Sequence, residues 1–242
     1  ALGVVLFLPV VPRFAGLVER LLPDKGEPLT QRLDDSLLAL PAVALEAAQR
    51  ALEQTTEQLL ALYSDLLTPA APAPTPGRLL ALGRSLDTAY AFVSRIELRP
   101  DDAAAAAQRI AQLHAIDHLL RFRTRLDDLL RAGLDLSAPG YAWALSHNRQ
   151  MLALARQGLA ERRLDEALPE LEVNALGLTE LSRQMRHALL DGSDTPSGPA
   201  ADLLAKADAY RWLERTGHHI WRIGHYLARG RPAGAAAPDR LA

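Results

Sequence analysis

Four of the seven histidines in this 242-residue chain fall in two short stretches whose spacing could do chemistry. His114 and His118 lie four residues apart with Asp117 beside them, and Glu214 and His218 repeat the spacing further along. Residues four apart on an α-helix share one face, one turn from each other. Neutral imidazoles and carboxylates so placed suit zinc or iron, which makes Glu214, His218, His114 and Asp117 the candidate metal ligands. The same spacing also serves polar side chains that pack between helices and hydrogen-bond one another, and this simpler reading asks for no ion. A metal-dependent hydrolase would further need an open coordination position and a general base, and the sequence singles out no residue for either.

Other chemistries find less purchase. The chain has no cysteine, so disulfides, thiolate metal sites and thiol nucleophiles are excluded. It has no Gly-x-Ser-x-Gly elbow, no phosphate-binding loop ending in Gly-Lys-Ser/Thr and no Gly-x-Gly-x-x-Gly. No catalytic residue and no organic cofactor is expected, and any handling of phosphate would be indirect. Arg121, Arg123 and Arg125 alternate along one segment, and Arg211, Arg215, Arg222 and Arg229 punctuate another. Such arginines form a solvated face, or pair with acids of a partner or with anionic headgroups. A nucleic-acid surface is not among the options, because 27 Lys and Arg against 29 Asp and Glu leave a formal charge of −2.

Helices must position these residues. Leu (48) and Ala (43) dominate the chain, while Val (8) and Ile (5) are scarce and aromatics make up 5%. Leu and Ala favour helix, and strands want the β-branched and aromatic residues that are rare here, so the expected class is all-α. Proline breaks helix interiors, and after Pro41 the Pro-free windows are 42–68, 77–99, 101–138, 140–168, 170–195 and 200–231. Within them apolar residues recur at helical spacing, as in Leu52, Leu59, Leu60, Tyr63 and Leu66 with Glu53, Gln54 and Glu57 between. Asp101-Asp102 opens the third window, where acids complement the helix dipole. Trp212, Trp221, Tyr210 and Tyr226 on the last window read as core and rim packing. Long amphipathic helices with short connections predict an antiparallel helical bundle.

The first residues differ in composition. Ala1 to Leu8 is continuously apolar, Pro9, Pro12 and Arg13 interrupt it, and Phe14 to Val18 resumes it. Residues 1–28 read as the tail of a transmembrane helix with its juxtamembrane segment, and Arg13, Arg20, Lys25 and Arg32 place the rest of the chain on the cytoplasmic side. A buried or amphipathic N-terminal helix is the alternative. Residues 232–242 lack apolar periodicity and read as a flexible tail.

The windows also suggest duplication. Leu113 to Phe122 lies over Glu214 to Ile223 when Asp117 is set against His218 and His118 against His219, at the third helix of each trio. The expected domain therefore spans 29–231 as two three-helix halves, about 29–138 and 140–231.

Three stretches carry a family resemblance: Arg32 to Leu45, with its Leu-Asp, Leu-Leu, Pro and Ala-Leu pattern; Leu113 to Leu119; and Asp208 to Ile223. They resemble the PhoU-like helical domain that follows the last membrane helix in bacterial sodium/phosphate cotransporters. The family's metal motif is an acid followed four residues later by Asp, once in each half. Here the first copy, Leu113 to Asp117, lacks the opening acid, and the second, Glu214 to His218, closes on His. The resemblance implies a regulatory domain, not an enzyme, at the cytoplasmic side of the cell inner membrane. Its partner would be the membrane domain of the same transporter, which would handle sodium and phosphate, with a homodimer as a further partner state. Two other readings stand beside it: a stand-alone PhoU-like adaptor in phosphate signalling, and a metal-dependent helical-bundle enzyme using the four candidate ligands.

Overall fold

The computed structural model describes Thr30 and residues 33–68, 76–132, 136, 138–190 and 200–231. The expected membrane segment 1–28 and the expected tail 232–242 lie outside the described residues. Among those described there is no strand, and no helix is long and apolar enough to cross a membrane. The described residues form an all-helical bundle.

A short 3-10 turn, Asp35–Ala39, leads into α1, Pro41–Leu66. Pro41 occupies the first helical turn, where its missing N–H costs nothing and its fixed φ suits the helix. α2 spans Pro76–Ser94 and α3 Ala103–Ala132. Asp102 caps α3 by accepting from the Ala105 N–H at 2.9 Å, so the acid pair does more than oppose the dipole. A second 3-10 turn, Pro139–Tyr141, precedes α4, Ala142–Ala160; α5 is Leu164–Leu190 and α6 Ala200–Arg229.

Proline spacing misplaces one boundary. It puts a break between two helices at Pro169, yet α5 runs through that residue. The break falls earlier, at residues 161–163, where Arg162 takes a left-handed φ of 58°. The Arg163 N–H reaches back to Gly158 O at 2.9 Å and the Arg162 N–H to Leu159 O at 3.2 Å, which is the hydrogen-bond pattern of a Schellman stop. Pro169 then sits only in the second turn of α5, early enough for the helix to continue beyond it. Because Arg162 holds a conformation that suits glycine, Arg162→Gly is expected to stabilise the protein by about 0.5–1 kcal/mol. Urea denaturation at neutral pH checks this, and a loss of stability would contradict it.

α1, α2 and α3 pack on one another as a trio, and so do α4, α5 and α6. The trios meet chiefly through α3 on α6, with α1 on α4 beside them. His118 lies against His219, and Arg125 O against Trp212 Nε1, so α3 and α6 run antiparallel. One continuous core joins the trios, with Leu45, Leu52, Leu59 and Tyr63 of α1 and Ile116, Leu119 and Phe122 of α3 meeting Leu213, Ile220 and Leu227 of α6. Tyr63, fully buried, sets its ring edge-on to Phe122 at 5.6 Å and to Trp212 at 5.8 Å. Its hydroxyl donates to Asn148 Oδ1 at 3.0 Å, and Asn148 Nδ2 donates to Ala144 O and Leu213 O. At the far end of α6, Gln49 of α1 donates to Leu227 O at 2.9 Å, and Arg231 donates to Glu53 at 2.8 Å.

Candidate functional site

The seam between α3 and α6 gathers most of the chain's imidazoles. His118 Nδ1 and His219 Nδ1 stand 3.2 Å apart, close enough to hydrogen-bond when one ring carries the hydrogen and the other accepts it. Tyr226 stacks on His118 (5.5 Å) and on His114 (4.8 Å). His218 meets His118 and Trp221 edge-on, and the Arg222 guanidinium lies 5.2 Å from the Trp221 ring centre and 5.1 Å from that of Tyr226. The polar rings thus pack as aromatic surface, with Arg222 supplying a cation–π contact.

Burial governs the charge of these rings. His118 and His219 are each held down to about 4 by desolvation, His118 despite the help of Asp117, and His219 with further opposition from His118 and His218. His218 is lowered for the same first reason. Neutral pH therefore finds the pair uncharged.

The four candidate metal ligands are distributed around this cluster instead of converging. Glu214 points to α5, where it pairs with Arg186 at 3.3 Å and lies 3.1 Å from Ser182 Oγ. Asp117 is exposed and pairs with Arg121 on its own helix at 3.0 Å. His114 stacks on Tyr226, and His218 lies at the mouth of the seam beside His118 and His219. Among the described residues no group of three or more His, Asp and Glu is arranged to hold an ion. His219 and Tyr226 are the site residues that spacing does not single out. For His219 a signal does exist in the overlay of the two halves, which sets it against His118.

Beside the histidines the seam opens into a cleft of about 660 Å³ lined by Arg121, Arg125, Arg215, Glu214, His118 and His218, among others. A second hollow of about 320 Å³ adjoins it, sharing Arg125 and Arg215 and adding Arg211, Asp128, Asp208 and Trp212. Two walls of one antiparallel helix pair thus carry arginines into concave surface, while the imidazoles form its neutral end.

No family model, no curated protein and no solved structure matches the chain.

Proposed function

We propose that this chain is a PhoU-like regulatory domain of a sodium-dependent phosphate cotransporter, acting at the cytoplasmic face of the cell inner membrane on the membrane domain of the same transporter. One observation carries this reading. The residues that the overlay of the two halves makes equivalent, His118 and His219, touch each other where the third helices of the two trios cross. Self-contact of equivalent residues is what two related halves packed about a pseudo-twofold axis would produce, and the domain that the three stretches resemble would be built from two such repeats.

Regulation of this kind requires that the domain or its ligand interact differently with two states of the transporter. The domain would bias the membrane segments' conformational equilibrium, and sodium and phosphate themselves would be handled there.

The test is phosphate uptake by cells carrying the full-length protein, with and without residues 30–242, over a range of sodium and phosphate concentrations. Sodium-dependent uptake is expected, with the half-saturating phosphate concentration shifted at least about fivefold by the deletion, the low end of ordinary coupling energies. Uptake with an unaltered phosphate response would overturn the reading. Regulation that persists when the domain is supplied as a separate chain would favour the stand-alone adaptor.

A further inference from the structure

We propose that the cleft between α3 and α6 binds a small soluble anion carrying two or more phosphoryl groups, the chemical class of pyrophosphate and tripolyphosphate. The inference rests on the arginines of the cleft and is independent of the transporter reading.

The arginines come as two pairs with one-turn spacing: Arg121 and Arg125 on α3, Arg211 and Arg215 on α6. Because the helices are antiparallel, with residue 118 opposite 219 and 125 opposite 212, the two pairs lie at the same level along the seam. Positive charge therefore recurs at a rise of about 6 Å along both walls. That repeat suits a linear anion with several negative centres better than a single carboxylate. Guanidinium groups bind phosphoryl oxygens through paired N–H donors, and several of them converging on one anion add charge and geometric selectivity. The two adjoining hollows, about 660 and 320 Å³, fall in the size range of small-ligand sites. Arg125 and Arg215 line both of them, so they stand where a ligand spanning the cleft would be gripped at its middle.

The carboxylates nearby do not cancel this charge. Glu214, the acid lining the larger hollow, is already engaged by Arg186 of α5. Asp117 holds Arg121, Asp128 holds Arg125 at 3.3 Å and Asp208 holds Arg211 at 3.5 Å, each on its own helix and in solvent. Exposed pairs of this kind are worth only a few tenths of a kcal/mol, so a multivalent anion can draw the guanidinium groups inward at little cost. Arg215 makes no ion pair or hydrogen bond among the described residues. The neutral histidine pair closes one end of the cleft without adding a competing charge or a competing acid.

A lipid headgroup shares this chemistry, and the arms of the test separate the two sources. Titration calorimetry of the 242-residue chain with sodium tripolyphosphate, at pH 7.5 and fixed ionic strength, tests this. Saturable binding is expected, with orthophosphate and sulfate weaker. Arg215→Gln and Arg125→Gln should each weaken binding about tenfold, and the double variant more than about thirtyfold, with helicity and thermal midpoint retained. Arg99→Gln, the same charge change at an exposed site outside the cleft, should bind as the unaltered chain does. Absence of saturable binding at millimolar tripolyphosphate would overturn the proposal, as would equal affinity in the cleft variants and Arg99→Gln. So would tighter binding to phosphatidylglycerol vesicles that tripolyphosphate fails to displace.

Discussion

Replacing Tyr63 by alanine is expected to cost about 4 kcal/mol of folding stability, enough to unfold a large fraction of a marginally stable domain. The ring is fully buried and sits where both trios meet, edge-on to Phe122 of α3 and Trp212 of α6. Truncation removes a large apolar surface, leaves a cavity that four helices would have to close, and forfeits two edge-to-face contacts. It also strands Asn148, whose Oδ1 loses the tyrosine hydroxyl in a fully buried position. Tyr63→Phe isolates that last loss and is expected to cost about 1–2 kcal/mol. Chemical denaturation at neutral pH measures both. Because the ring belongs to both trios, a single cooperative transition should shift as a whole. A cost below about 1 kcal/mol for the alanine variant would show that the seam can repack around the gap.

The second large effect is acid destabilisation above the range in which carboxylates titrate. In an unfolded chain the imidazoles take up protons near pH 6.5, whereas His118 and His219 in the fold hold off until about 4. Between those values the unfolded state binds more protons, so stability falls as pH drops from 6.5 to about 4 and levels off below. Together the pair should account for a loss of about 2 kcal/mol, the full shift being discounted because both rings keep a solvent-facing edge. His218, lowered in the same direction, adds to the trend. The groups facing the pair sort by sign: Asp117 eases protonation of His118, while Arg121, Arg222 and His218 oppose it, and Arg121, Arg125 and His218 oppose that of His219. Asp35, held ionised by Arg95, begins to lose its contribution only as pH falls below 3.8, so the two windows are separable. Urea titrations from pH 8 to 4 should show the slope, and His118→Gln with His219→Gln should flatten it. An unaltered slope in that double variant would place the acid sensitivity elsewhere.

Much of this is legible from residue types alone. The excess of Leu and Ala over Val and Ile requires helices, and Pro41 and Asp102 mark where two of them start. Pro169 misleads because a proline's effect depends on how far into a helix it falls. That distance is set by Arg162 adopting a left-handed turn, which an arginine does not advertise. The site divides in the same way. The overlay that pairs His118 with His219 uses only local sequence, and the two rings meet. The engagement of Glu214 by Arg186 and Ser182 depends on how α5 packs against α6, and periodicity within α6 carries no information about it. The arginine pairs are visible as a pattern, yet only the antiparallel register of α3 and α6 brings them level across one cleft.

The bonds between the first half of α1 and the C-terminal end of α6 with the residues just past it impose an order in time. Arg231 and Glu53, like Leu227 and Gln49, are separated by 178 positions. At roughly 5–20 residues per second of synthesis, the partners of Gln49 and Glu53 leave the ribosome roughly 9 to 36 seconds after them. During that interval α1 can be sheltered only by the helices made before α6, first α2 and α3, which complete the first trio, and then α4. The apolar faces of α1 and α3 that later receive Leu213, Ile220 and Leu227 stay open until the sixth helix arrives. Ribosome-bound chains halted between α5 and α6 should therefore be the species that chaperones hold longest.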